Sequence, residues 1–284
     1  MAETAVPLPP TPTARSPLAR AEQFVWLTAR VLEQHLFAYH FRAAGAAPVE
    51  TALDAYRNPD GGYGHALEPT LRGPGSQVPH TVYALRVLDA VGRRTGPHIE
   101  HTCRYLTSVS TPDGALPGAL TATGPAVGLL HRNGVWHAWL FRATEFCWLR
   151  TESLRARDPY EIQAAVAFLD SVPDRPRAEA TADRLGRLLR EHHLAVLDPD
   201  SRRPPGEPRL LPHDYARTPR SLARAWFTDD EMARSLDFLA SAQEADGGWP
   251  VHRPGLTPAA ALEARPGATI SALRTLQAHG RPVT

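Results

Sequence analysis

The sequence predicts an all-α fold, and two observations carry that prediction. A short Asp-Gly turn occurs three times among helix-like runs, at Asp60-Gly-Gly-Tyr63, Asp113-Gly-Ala115 and Asp246-Gly-Gly-Trp249. No segment alternates apolar and polar residues in the way of a half-buried strand. Each turn has a Leu seven residues upstream (Leu53, Leu106 and Leu239), where a helical run ends. The Asp-Gly pair then reverses the chain, because glycine accepts a positive φ and aspartate bonds nearby backbone.

The second helix after the turn is itself repeated. Thr81-Val-Tyr-Ala-Leu-Arg-Val-Leu-Asp-Ala-Val-Gly92 aligns with Thr269-Ile-Ser-Ala-Leu-Arg-Thr-Leu-Gln-Ala-His-Gly280, with seven of twelve positions identical. Matched helices behind matched turns indicate an internal repeat of helix, Asp-Gly turn and helix.

The elements follow in order. Residues 1–17 hold five prolines and few large apolar side chains, and are read as a disordered tail. A long helix is expected from Leu18 to Ala44, with Phe24, Leu27, Val31, Leu32, Leu36 and Phe37 at helical spacing. Gly45 stops it and Pro48 opens the next. Beyond the first turn lies a loop, residues 64–77, crowded with polar groups. Helices are expected at about 79–91 and 97–109, and a Gly- and Ala-rich loop at 114–134. An aromatic helix over 136–148 then places His137, Phe141, Glu145 and Trp148 on one face. Helices at about 159–171 and 176–195 form a degenerate repeat, and 198–219 reads as a Pro-rich loop. Thr228 with Glu231 fits a capping box. A last loop carrying Glu263 and Arg265 precedes the closing helix. Residues 18–284 are therefore read as one domain, since repeats occupy both ends.

Gln243-Glu-Ala-Asp-Gly-Gly-Trp249 resembles the Gln-to-Trp repeat of squalene and oxidosqualene cyclases, and the same turn recurs in the β subunits of protein prenyltransferases. The resemblance covers residues 45–280, with a weaker middle. It implies an α/α toroid of paired helices around a central cavity, in which those families bind isoprenoids. It also implies that Gln243 and Trp249 tie helix ends together.

Composition bounds the function. Net charge is +1, from 31 basic and 30 acidic residues, so nothing points to nucleic acid or an anionic membrane. Every one of the 31 basic residues is arginine. Without lysine, Schiff-base chemistry and the phosphate-binding Lys loop are excluded. Two cysteines give no disulfide framework. A signal peptide and a membrane-spanning run are not expected, and a cytoplasmic location is.

The isoprenoid reading draws its cavity wall from Tyr83, Trp136, Trp139, Phe141, Trp148 and Trp226, whose π faces suit carbocations and methyl groups; ordinary core packing is the competing role. The polar candidates are His65, Glu68, Arg72, Gln77 and His80 in the first loop and helix start, His137, Arg142 and Glu145 on the aromatic helix, and Glu263 and Arg265 in the last loop. Arginine either grips a diphosphate bidentately or fixes a loop. His65, Glu68, His137 and Glu145 are the catalytic candidates, with Glu145 or Glu68 as the acid of a cyclisation, its pKa raised by apolar surroundings.

The families' own motifs are incomplete. The chain has no Asp-x-Asp-Asp. Asp229-Asp230-Glu231 does not complete the magnesium motif, and Glu145-Phe-Cys147 with His213 or His252 imitates the zinc site only loosely. Cys103 and Cys147 lack the partners of the lanthipeptide cyclase site. No cofactor is expected, and magnesium or zinc enters only through these fragments. The leading expectation is cyclisation or prenyl handling of an isoprenoid; the alternative is a non-catalytic toroid that binds an apolar ligand or a partner chain.

Overall fold

The computed structural model describes residues 16–93, 96–155, 158–201, 204, 206–251 and 253–284. Among them the regular structure is helical: α1 (Pro17–Thr28), α2 (Val31–Phe41), α3 (Ala47–Asp54), α4 (Val78–Ala90), α5 (Pro97–Val109), α6 (Leu120–Arg132), α7 (Ala138–Glu152), α8 (Pro159–Leu169), α9 (Arg175–Glu191), α10 (Pro212–Tyr215), α11 (Asp229–Ser241) and α12 (Pro258–Ala278). A 3-10 turn, Leu222–Trp226, lies between α10 and α11. The expected tail falls mainly on residues 1–15, outside the described residues, while Pro17 already opens α1.

The three Asp-Gly turns make the same hydrogen bonds. The amide after the Asp donates back three residues (Gly61 to Asn58, Gly114 to Thr111, Gly247 to Glu244). The residue two before the Asp donates forward four (Asn58 to Gly62, Thr111 to Ala115, Glu244 to Gly248). Three residues beyond the Asp, the amides of Tyr63, Leu116 and Trp249 donate to the hydroxyls of Thr81, Thr123 and Thr269, at 3.1, 2.9 and 3.0 Å. Each hydroxyl donates in turn to the carbonyl four residues earlier, of Gln77, Ala119 and Arg265. One threonine near the start of α4 and of α6, and in the middle of the longer α12, thus satisfies a buried turn amide that would otherwise be unpaired.

Each turn also docks its Asp-Gly glycine on a preceding or following helix. Gly61 (φ +88°) lies against His101 of α5, Gly114 (φ +90°) against Arg142 and Ala143 of α7, and Gly247 (φ +94°) against Arg20 of α1. The last turn therefore packs on the first helix. Gln243 donates to the carbonyls of Pro17 and Gly247, each at 2.9 Å, and accepts from Arg20. Leu18 donates its amide to Val283 at 2.8 Å. Trp249 donates its indole N–H to Leu239 at 2.7 Å, so both Gln243 and Trp249 fasten helix ends.

Four expectations need correction. The single helix over 18–44 is two helices, because Ala29 and Arg30 are extended (ψ 155° and 160°). The Arg30 guanidinium is drawn across to the carbonyls of Ala66 and Leu67 and to Glu33, which fixes the break. The loop expected over 114–134 contains α6. Its weak helix formers are held by packing: a Cβ at Gly124 or Gly128 would lie 2.7 or 2.2 Å from the carbonyls of Ala164 and Ala167 in α8. Tertiary contact here overrides intrinsic propensity. The Pro-rich loop over 198–219 includes the short α10. Glu263 and Arg265 sit within α12 rather than in a loop, with Pro266 inside that helix.

The capping box at α11 is formed: Thr228 accepts from the Glu231 amide at 3.2 Å and donates its amide to the Glu231 carboxylate at 2.9 Å. That carboxylate is also gripped by both terminal nitrogens of Arg190, at 2.7 and 2.6 Å. Hydrogen bonding from Arg190 is the main cause that pushes the Glu231 pKa down from 4.5 to about 2. The depressed pKa means that this stabilisation is full above pH 4.5 and is lost as pH falls toward 2. Glu231→Gln is expected to cost about 2 kcal/mol at neutral pH, a figure reduced for partial exposure. In urea unfolding the gap to wild type should narrow between pH 4.5 and 2; a constant gap would refute the coupling.

Candidate functional site

A cavity of about 600 Å³ lies between α2, α4 and α12, walled elsewhere by residues 209–218, α11 and the segment after the third turn. Such a volume lies within the range of small-molecule pockets, about 300–1,000 Å³. Its two long walls are matched faces of the repeated helix. Tyr83, Arg86, Val87 and Ala90 of α4 line it, and so do their counterparts Ser271, Arg274, Thr275 and Ala278 of α12. These offsets of three and four residues form one helical stripe. Glu33, Leu36 and His40 supply the α2 side.

The wall combines apolar surface with engaged carboxylates. Leu36, Val87, Leu211, Phe238, Leu239 and Ile270 give it apolar area. Glu33 is 2% exposed. It pairs with Arg30 and accepts from the Tyr83 hydroxyl at 3.3 Å. Burial, with the Glu33 charge behind it, pushes the Tyr83 pKa up, so the phenol stays protonated and donates. Glu68 accepts from the amide and hydroxyl of Thr70. Glu263 accepts from Arg72 at 2.6 Å, an ion pair that joins the first loop to α12. Asp214 accepts from the Leu211 amide at 2.8 Å.

Two histidines face the same space. Burial pushes His40 down to about 4, helped by the Arg274 charge. His213 is also lowered by burial; one ring nitrogen, Nδ1, lies 2.6 Å from the Ser235 hydroxyl. Both rings are neutral at pH 7.

Of the residues singled out in the sequence as catalytic or substrate-binding, Glu68, Tyr83 and Glu263 line this cavity, and so do Trp249 and His213, which were named for other roles. Arg72 reaches it only through Glu263, and Gln77, the residue before α4, donates to the Arg72 carbonyl at 3.3 Å. His80 is fully buried behind the wall, where its Nδ1 accepts from the Glu68 amide at 2.9 Å. Its Nε2 has no partner, and burial lowers its pKa. His65 is exposed and bonded to Asn58 at 3.1 Å. Arg265 is held by both oxygens of Asp246, at 2.7 Å each, and by Glu244. It fixes the third turn and is occupied there.

The expected aromatic wall is not formed by α7, and the shared face of His137, Phe141, Glu145 and Trp148 does not exist as a site. Trp136 and His137 precede the helix; His137 caps it by accepting from the Trp139 amide at 3.2 Å. Trp136 is 84% exposed and meets Phe141 edge-on at 5.0 Å on the surface. Arg142 and Glu145 are exposed as well. Trp139 is buried and donates to the Gly114 carbonyl at 3.1 Å, and Trp148 packs between Phe168 and Arg177. Trp226 lies against Gly186 and Tyr215 in the core. The sequence spacing placed Trp139, Phe141, Arg142, Glu145 and Trp148 on a helix correctly, but started that helix two residues early and missed the side of α7 that faces inward. Cys147 is buried while Glu145 points to solvent, so the loose zinc imitation is not assembled; His252 lies outside the described residues. Among the described residues no cluster of three His, Cys, Asp or Glu side chains is placed to hold a metal ion.

Sequence reasoning missed Glu33, His40, Arg86, Arg217 and Arg274, and it named His213 only as part of the loose zinc imitation. A usable signal existed for two of them. Arg86 and Arg274 are the charged identity within the repeated helix, standing among uncharged stripe residues.

A scan against models of protein families finds no match, and a search of curated proteins finds none either. Among the described residues no helix is long and apolar enough to cross a membrane.

Proposed function

We propose that this chain is an α/α toroid that takes a medium-length apolar chain of the isoprenoid class into its central cavity, and that it binds or handles prenyl groups rather than cyclising them. The observation that carries the reading is the cavity between the matched stripes of α4 and α12. The return of the last turn onto α1 supports the toroid.

Cyclisation by protonation needs a carboxylic acid free to act inside the cavity. Glu145 stands outside it, and Glu33, Glu68, Asp214 and Glu263 are each engaged by the donors described above. Capacity agrees with a modest ligand. At about 30 Å³ per water-sized group, the cavity takes roughly twenty such groups. A fifteen-carbon chain suits that space.

Thermal unfolding with farnesol and with squalene tests this. Farnesol at 100 times its dissociation constant adds about 2.7 kcal/mol, a rise of several degrees for a domain of this size. Val87→Trp fills the middle of the α4 stripe and is expected to abolish the shift while retaining the helical circular dichroism. An equal shift in that variant, or none with any chain of this length, would refute the reading.

A further inference from the structure

We infer that Arg86, Arg217 and Arg274 form a binding site for a phosphate-type anion, a diphosphate group above all, at one side of the cavity. The inference rests on the cavity reading and names the head group that the apolar chain would carry.

All three guanidiniums line the cavity, and among the described residues none has a hydrogen bond or an ion pair. That sets them apart from the arginines nearby. Arg30 is held by Glu33, Arg72 by Glu263 and Arg265 by Asp246. Glu33 and Glu263 are paired with Arg30 and Arg72, so of the cavity carboxylates only Glu68, whose charge reaches Arg86, and Asp214 offset the trio, and neither bonds to it. Asp89, whose charge reaches Arg274, is itself bound by Arg132 and Asn133.

The three charges also act on one another. Arg86, Arg217 and Arg274 all keep exposed surface, and all three line the same half-open cavity. Burial is the main cause that lowers both pKa values, Arg86 to about 10, and the charge of Arg217 lowers both further. The side chains remain cationic at neutral pH. Three like charges in a partly desolvated space repel each other, and an anion of matching geometry removes that repulsion. The guanidinium fork fits the paired oxygens of phosphate and diphosphate bidentately. Two of the three arginines come from equivalent positions of the repeat and the third follows α10, so an anion between them would tie α4, α12 and the 213–217 segment together.

Calorimetry on the full chain with inorganic diphosphate is the direct test, with inorganic phosphate, farnesol and farnesyl diphosphate as further arms. Diphosphate is expected to bind, and more weakly as salt rises. Arg86→Gln and Arg274→Gln should each weaken it at least tenfold, and the double variant about a hundredfold. Arg72→Gln, which removes a cation outside the trio, should stay within twofold. Without ligand the double variant should melt no lower than wild type, since it loses only repulsion; this guards against a folding defect.

Absence of diphosphate binding, or equal binding by the double variant, would overturn the inference. If farnesol shifts the melting temperature while diphosphate does not bind, the arginine site falls and the cavity reading stands. If farnesyl diphosphate binds no tighter than inorganic diphosphate and the double variant loses both, the arginine site stands with a free anion as its ligand, and the apolar-chain reading falls.

Discussion

Gly247→Ala is expected to destabilise the fold by about 2–5 kcal/mol. The backbone there has φ +94°, which costs an L-residue about 1–2 kcal/mol. An added Cβ would also stand 2.3 Å from the Arg20 carbonyl oxygen, so α1 and the third turn must separate. Forced overlap in a packed region adds about 1–3 kcal/mol. Gly134→Ala is the control: its φ is +65°, but a Cβ there meets nothing within 4 Å. Chemical denaturation of the two variants separates conformational cost from collision. Equal losses would show that the turn does not rely on its close approach to α1.

Arg30→Met is expected to be comparably severe, at about 3–5 kcal/mol. Arg30 is the only cation paired with the buried Glu33 carboxylate among the described residues. It also donates to the carbonyls of Ala66 and Leu67, at 2.9 and 3.1 Å, and lies over the Tyr56 ring. Its loss strands a carboxylate that is 3% exposed. It also releases a loop in which His65 and Ala66 both hold φ +56°. The double variant Arg30→Met with Glu33→Leu removes both charges and should recover much of the loss, because two apolar side chains replace an ion pair. If the double variant is as unstable as the single, the cost lies in the loop rather than in the stranded charge. Urea unfolding of the three proteins decides between these.

The sequence made the turns readable because their chemistry is local. Asp, Gly and the upstream Leu recur at fixed offsets, and the threonine that receives the turn amide stands in each copy. It did not make α6 readable. Leu120–Arg132 is rich in Gly, Thr and Ala, and its helix depends on the approach of α8, which no local pattern encodes. The break at Ala29–Arg30 was hidden for the same reason, since the carbonyls that hold Arg30 lie more than thirty residues away. The choice of site residues followed polar density in the first loop and aromatic density on α7. In the structure Arg72 and Arg265 are taken up by carboxylates, and the α7 aromatics are divided between core and surface. Of the arginines that face the cavity, Arg86 and Arg274 sit singly within helices and Arg217 follows α10, where each resembles an ordinary solvated position. Only the alignment of α4 with α12 marks two of them as equivalent.

The joint between the first helix and the last turn also bears on how the chain folds. Arg20 and Gln243 are 223 positions apart. Bringing such distant segments together in a flexible chain costs about 5 kcal/mol of closure entropy, whereas each Asp-Gly turn closes over only a few residues. The turns and their flanking helices are therefore early structures, and the joint forms late, after most other native contacts are present. Contacts absent from the transition state govern how fast a protein comes apart more than how fast it assembles. The lifetime of the native state is thus set in good part by the seam around Pro17, Arg20, Gln243 and Gly247, which acts as the clasp of the whole chain.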